Sequence, residues 1–369
     1  MTDFDFAVIG GGIAGASLAA ELAPHARVVL LEAEDTPGYH ATGRSAAFWH
    51  ETLGGPLVQP LTKASLQPLR DGNFLTPRPT LNVAQAKDVD KLDRLEANFA
   101  GSGARLRRLD RDEVRSLVPR ARPILVAGVL EVDCASIDVG ALLNKCLADF
   151  RRAEGTTMTS FRVDAIARDG DCWTISAGER AVRAKTIVNA AGAWADRVAM
   201  LAGAVPLGLQ PNRRTIVQVR VAEHDVPHDL PFTIDIGETF YFRPEGTNKL
   251  WLCPHDETPV DACDVAPEEI DVATAIDRFE AVTDWRVVAV EHKWAGLRTF
   301  APDRLPVYGF DPDVAGLFWC AGQGGYGIQT SPAAAKLCAS LLLSHDADEM
   351  VAHINPTTFS PSRLRLQKA

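Results

Sequence analysis

Residues 4–32 read FDFAVIGGGIAGASLAAELAPHARVVLLE. The first six residues are mostly strand formers, and Gly10, Gly12 and Gly15 follow at once. Residues 14–22 are small, apolar and helix-compatible, closed by Pro24, and 27–31 is a second apolar strand ending on Glu32. Strand, glycine turn, helix and second strand make a βαβ unit with its two strands parallel and adjacent. In that context Gly10-x-Gly12-x-x-Gly15 is a dinucleotide fingerprint. Gly10 permits the tight turn, Gly12 lets a pyrophosphate approach the backbone, and Gly15 lets helix and strand pack closely. The helix N-terminus offers free N–H groups and the positive end of its dipole to phosphate. Glu32 stands where a ribose diol is received. A glycine-rich packing turn is the alternative, and the two strands with the terminal acid argue against it.

Outward from this unit, residues 38–47 (GYHATGRSAA) form a polar, small-residue turn expected to run into a helix-like stretch. Such a loop suits the far side of a pyrophosphate and a flavin ring edge, or an exposed, capped turn. Gly322-x-Gly324-x-x-Gly327 repeats the glycine spacing, with too little chain after it for a second βαβ unit and acid. It remains a helix N-terminus able to face electron-rich atoms such as the pyrimidine end of a reduced flavin. Between these lie a proline-rich stretch, charged helical stretches near 88–116, a helix over 139–153 and a hairpin over 163–176. Residues 185–190 form a buried strand, and alternating segments over 214–253 suggest an antiparallel sheet. Nucleotide-like features at the start, near 190 and near 325 predict a discontinuous cofactor domain over 1–52, 136–207 and 296–369. The substrate domain is then 53–135 and 208–295.

Composition narrows the function. With 38 Lys and Arg against 48 Asp and Glu, the net charge of −10 argues against nucleic acid or an anionic membrane as partner. Seven scattered cysteines without a CxxC pair read as reduced thiols of a cytoplasmic protein. Cys253, His255 and Cys263 are the only close cluster, their spacing fits no strong zinc pattern, and no metal is expected. No basic segment precedes the first apolar run, and no apolar stretch approaches the ~18–20 residues of a membrane span.

Arg213, Arg214 and Arg298 each lie in or beside an apolar stretch, where a buried charge needs an anionic partner. A structural salt bridge and a carboxylate clamp are the two answers. His50 and His292 are candidate bases or ordinary packing histidines.

The strings GGGIAGASLA, PGYHATGRSAA, VNAAGAWAD, LGLQPNRRT, EHKWAGLRTF and FWCAGQGGYGIQTSPA resemble the D-amino-acid oxidase superfamily of flavoproteins. Within it they most resemble the bacterial FAD-dependent D-arginine dehydrogenases. The resemblance implies an α/β fold, with a discontinuous glutathione-reductase-type Rossmann domain binding FAD non-covalently. An inserted substrate domain of mixed β-sheet plus helices would lie over the flavin. It places Ala14, Glu32, Ala33, Ala41, Thr42, Gly43, Arg44, Ser45, Ala46, Ala47 and Phe48 on FAD. Val163 falls at the adenine end, and Gly324, Gly325, Tyr326, Gly327, Ile328 and Gln329 fall at the ring. Arg214 and Arg298 match residues that hold a substrate carboxylate, with Tyr241 beside them and Gly325 as a backbone contact.

The departures from that family concern the side-chain pocket. Thr80 replaces an acid that would receive a guanidinium, Leu53 a tyrosine that closes the site, and Phe48 a histidine beside the flavin. Phe232, Ile234 and His50 complete the expected wall. The resulting expectation is dehydrogenation of an α-amino acid, of D configuration and with a neutral or apolar side chain, to the imino acid by hydride transfer to flavin N5. The electron acceptor is left open. Two alternatives stand beside it: a 2-hydroxy-acid dehydrogenase using His50 as base, and a flavin-binding subunit of a larger complex.

Overall fold

The computed structural model describes residues 3–222 and 226–366. Strand Asp3–Ile9 lies between Val28–Leu31 and Arg180–Asn189, parallel to both. Thr156–Met158 extends the sheet beyond Val28–Leu31, and Leu317–Ala321 pairs in parallel with Arg180–Asn189. Every residue of Val28–Leu31 and Leu317–Ala321 is buried, as a parallel sheet covered on both faces requires. On one face Leu18, Leu22, Phe150 and Leu337, from helices Ile13–Leu22, Val139–Arg152 and Gly327–Leu343, join Val8, Leu30 and Phe318 in one core. On the other, Val198 and Ala199 of helix Ala195–Leu201 join Ala7, Ile9, Val29 and Phe161. The hairpin Ala165–Asp169 and Cys172–Ala177 adds antiparallel strands at the edge.

A second, nine-stranded sheet carries the rest. Its two longest strands, Gln210–Val221 and Val287–Phe300, pair from Gln210↔Phe300 to Val221↔Val287. Lys249–Cys253, Tyr241–Pro244, Phe232–Asp235, Thr80–Gln85, Leu125–Glu131 and Leu106–Asp110 follow on the other side. Phe232–Asp235 is parallel to Thr80–Gln85 and its neighbours are antiparallel, so the sheet is mixed. Leu81, Val83, Val217, Val219, Phe242, Leu250 and Leu252 pack on one face with Phe279 and Val114 from two helices. Side chains alternate along a strand, so Arg214, Ile216, Tyr241, Cys253 and Phe232 turn to the other face, toward the first sheet.

A small sheet of Phe48–Trp49, Ala135–Ile137 and Leu75–Pro77 lies between the two. Three sequence expectations change. Residues 41–47 turn through Gly43, whose N–H bonds to Gly38 O at 2.8 Å, and enter the strand Phe48–Trp49 rather than a helix. The charged segment 88–116 is two helices, Val89–Asn98 and Arg111–Leu117, parted by strand Leu106–Asp110. The boundary expected between 295 and 296 falls inside Val287–Phe300, because that strand stays paired to its end. Among the described residues no helix is long and apolar enough to cross a membrane.

Candidate active site

The site begins where strand Asp3–Ile9 turns into helix Ile13–Leu22. Gly10 has φ +111°, and a Cβ there would sit 2.3 Å from Ala190 O. A Cβ on Gly15 would meet Gly10 O at 1.9 Å, so both positions admit only glycine. Glu32 reaches back to accept from Gly11 N at 2.7 Å and from Glu34 N at 2.9 Å. Thr42 Oγ1 accepts from Ile13 N at 3.0 Å, tying residues 38–44 to the helix start.

One cavity runs from this turn to the front of the second sheet. Its walls carry Gly10, Gly12, Ala14, Glu32, Ala33, Ala41, Thr42, Arg44, Ser45, Ala46 and Val163 at one end, and Gly324, Gly325, Gly327, Ile328, Arg214, Tyr241 and Arg298 at the other. Gly15, Gly43, Ala47, Phe48, Tyr326 and Gln329 lie off the wall. Gln329 instead clasps the backbone of His50 at N and O, at 3.0 and 3.1 Å, and Tyr326 packs with Val58 and Phe300. Arg44 faces the cavity, but its guanidinium bonds to Val265 O and Ala295 O at 3.1 and 3.2 Å and to Asp264. Phe161, Trp194, Arg197 and Gln323 also line the cavity and were not singled out in the sequence. Trp194 and Gln323 stand inside recognisable strings, and Phe161 and Arg197 carry no signal of their own.

The adjacent arginines part company. Arg213 meets Glu268, Asp271 and Asp256 and is a structural ion pair. Arg214 turns the opposite way onto the cavity wall, with its side chain 5% exposed. Its Nη2 donates to Glu257 Oε1 at 2.9 Å, while Nε and Nη1 have no partner among the described residues. The buried Tyr241 hydroxyl beside it also lacks one. Arg298 lies against Gly325, whose Cβ would stand 3.1 Å from the guanidinium carbon. Burial, and then the like charge of Arg214, pulls Arg298 below its ordinary pKa. Burial drives the Tyr241 phenol up. Two close guanidiniums, with idle donors on Arg214 and a neutral phenol beside them, are chemically suited to receive an anion.

A family model described as DAO, FAD dependent oxidoreductase, matches residues 5–341. The chain belongs to this family of FAD-dependent oxidoreductases. The glycine oxidase of Geobacillus kaustophilus is 26% identical over 92% of this chain and 93% of its own length. An L-2-hydroxyglutarate dehydrogenase of Bos taurus is 26% identical over 69% of this chain and 61% of its own. The chain spans only 43% of the FAD-dependent oxidoreductase domain-containing protein 1 of Xenopus laevis. The crystal structure of the Geobacillus kaustophilus glycine oxidase shares the fold at TM-score 0.82 and 23% identity, covering 96% of this chain and 98% of that one. The D-arginine dehydrogenase resemblance gives way to this coarser statement, and the cofactor is FAD. The cavity fits it, with a helix N-terminus and a glycine turn without side chains at each end.

Of the expected pocket residues of this DAO-family oxidoreductase, Phe48, Phe232 and Ile234 sit together and Leu53 packs elsewhere, and none is on the cavity wall. Phe48 stacks on Phe232 with centroids 4.1 Å apart, and Phe232 meets Tyr241 at 5.2 Å. Ile216, Cys253 and Ile234 complete that cluster. The sheet order puts Phe232 between Tyr241 and Thr80, which is fully buried. Aromatic rings arriving from opposite sides fill the space they had been expected to border. Leu53 packs with Val58, Phe300 and Tyr326. His292 stacks on Trp294 at 5.2 Å, away from the cavity. Glu51, an acid close enough in sequence to replace the missing one, is held by Gln59 at 2.7 Å.

His50 is likewise spent. Its Nε2 lies 3.0 Å from Glu131 Oε2 and 3.1 Å from Thr52 Oγ1. Glu131, opposite Thr80 across the sheet, also accepts from Glu51 N at 2.6 Å and Thr52 Oγ1 at 2.8 Å. His50, Glu131 and Cys134 bring potential metal-ligating atoms within 4.8 Å of one another, but the carboxylate is already saturated by these donors. Burial alone would raise the Glu131 carboxyl; the charge of His50 and the bonds from His50 and Thr52 outweigh it and bring it to about 2. A carboxyl depressed from 4.5 contributes stability fully above pH 4.5 and loses it as pH falls toward 2. Glu131→Gln should therefore flatten the dependence of unfolding free energy on pH across that window. Equal slopes in variant and parent, measured by denaturant titration, would show the pair to be inert.

Proposed function

We propose that this oxidoreductase oxidises a small, neutral α-amino acid, of D configuration where the carbon is chiral, to its imino acid. The observation that carries the reading is the pair of arginines on the cavity wall, Arg214 with two idle donor nitrogens and Arg298 against Gly325. Held two-pronged by these guanidiniums, a carboxylate presents its own Cα to the ring end of the cavity, and fixed orientation supplies much of the rate. FAD, when bound, supplies the hydride acceptor. Tyr241, neutral because burial raises it, donates to the carboxylate without adding charge. The amine releases its proton to water, and the imino acid hydrolyses after release.

The main competitor, a 2-hydroxy-acid substrate, is the kind of molecule named for the hydroxyglutarate relatives. A hydroxyl holds its proton far more tightly than an ammonium and calls for a base. His50 is locked to Glu131 away from the cavity. His255, edge-on to Tyr241 at 5.8 Å, is pulled to about 3 by burial and by Arg214 and Arg298, which makes it a weak proton acceptor. The amine reading stands ahead on that ground.

The Phe48–Phe232 stack supports selectivity for short side chains. D-alanine and glycine should outrun D-leucine and D-phenylalanine, with D-arginine far behind, in initial rates with an artificial electron acceptor. A guanidinium would lose its water with no free acid to meet, a cost of at least a few kcal/mol. Phe232→Ala should shift the ranking toward D-leucine, since each buried methylene gains about 0.8 kcal/mol. D-arginine as best substrate would overturn the selectivity. Flavin bleaching by L-2-hydroxy acids and by no amino acid would overturn the reaction class.

A further inference from the structure

Glu257 belongs to no expected site, yet it stands among three arginines. Its Oε1 accepts from Arg214 Nη2 at 2.9 Å, and Arg304 grips both its oxygens at 3.0 Å each. Burial would raise its carboxyl, but the Arg304 bond and the charges of Arg214, Arg304 and Arg298 overcome this and hold it low, so it stays ionised. The two sides of the contact differ in access. Arg214 is 5% exposed at the side chain, Glu257 32% and Arg304 56%. The chain is bent to make this contact from both sides. His255, two residues before Glu257, has φ +54°, and Arg304 has φ +63°. Left-handed backbone at non-glycine residues persists where the surroundings impose it, often beside functional sites.

Nη2 of a guanidinium belongs to both of its two-pronged forks. A substrate carboxylate docking two-pronged on Arg214 must therefore share Nη2 with Glu257 or displace it. Displacement is easy in one direction only, because Arg304, the more exposed of the two arginines, keeps hold of Glu257.

We propose that Glu257 is a positioning residue, an internal carboxylate that exchanges with the substrate carboxylate on Arg214 while Arg304 retains it. In the empty site it offsets the charge of two close guanidiniums. On return it competes the product carboxylate off and hastens release. This rests on the carboxylate-clamp reading of Arg214 and Arg298.

The test titrates FAD-loaded enzyme with sodium acetate, a carboxylate small enough for the short pocket, reading the shift of the flavin absorption spectrum at constant ionic strength. Glu257→Gln should lower the acetate dissociation constant roughly five- to tenfold, because a competing charge next to a buried cation is gone. KM for the amino-acid substrate should fall with it, and kcat should fall if release limits turnover. Without ligand the variant should melt earlier than the parent, and saturating acetate should raise its melting temperature by more than it raises the parent's. Glu257→Asp, which keeps the charge, should return acetate affinity toward the parent value. An unchanged or weaker acetate affinity in Glu257→Gln overturns the exchange, showing a carboxylate that is idle or one that props Arg214 in place. Absence of any acetate effect on the parent overturns the clamp itself, and the exchange with it.

Discussion

Replacing Arg298 by methionine is expected to lower kcat/KM at least about tenfold while FAD content stays at the parent level. The guanidinium lies on Gly325 at the ring end of the cavity, and its partner Arg214 has two unbonded nitrogens. A hydrogen bond to a charged group is worth about 1.5–3 kcal/mol, which converts to roughly ten- to 150-fold in efficiency. Methionine keeps most of the packing volume, so the change removes charge and donors rather than shape. The folding cost is small or favourable, since the lost cation stands close to another one and is pulled below its ordinary pKa by burial and by that neighbour. Arg214→Met should show a comparable loss with a further sign. Glu257 loses an inner partner and is left to Arg304 alone. Parent efficiency in both variants would make the arginines structural.

Gly10→Ala should leave less than about a tenth of the bound FAD, or no soluble protein. A Cβ there lies 2.3 Å from the carbonyl oxygen and 2.8 Å from the carbonyl carbon of Ala190. Both are backbone atoms just past the strand Arg180–Asn189 and on the cavity wall, so the clash is relieved only by moving the cofactor's bed. The positive φ adds about 1–3 kcal/mol of strain. Gly178→Ala is the matching control: φ is +59°, nothing lies within 4 Å of its Cβ, and it sits in a hairpin turn. It should purify yellow. In that control and in the parent, acid precipitation should release the flavin into the supernatant; colour in the pellet would show a covalent link. Full flavin content in Gly10→Ala would mean that this turn is not part of the cradle.

The fold was legible wherever one physical rule governs a run of residues. Buried parallel strands read as continuous apolar stretches, and the glycine turn of residues 10–15 has a steric reason at Gly10 and Gly15. Arg213 and Arg214 could not be told apart by type, because adjacent strand residues face opposite ways and both faces here are buried. One meets the acids of helix Glu269–Val282 and its N-terminal flank, the other the cavity. The pocket was the weakest part of the reading. Phe48 and Phe232 stack at 4.1 Å, and whether two aromatic rings border a space or fill it depends on a separation of a few ångströms that composition does not encode. Glu131 and Glu257 were missed because each acts across the fold. Their partners lie 80 and 43 positions away, and nothing local marks them.

The arginine pair belongs to the nine-stranded sheet alone, whereas the aromatic stack joins Phe232 of that sheet to Phe48 of the small one. On the proposed reading, acceptance of a side chain and the two guanidiniums that hold the carboxylate can change separately, most freely at Phe48, since Phe232 also packs on Tyr241. On that reading a gene duplicate would start with its chemistry already in place, and one codon at position 48 or 232 would be enough to admit a new diet. If the clamp reading holds, drift at those two positions would cost the reaction little, whereas drift at 214 or 298 would cost it about tenfold or more, so lineages sharing this scaffold could diverge in what they consume while remaining alike in how they consume it.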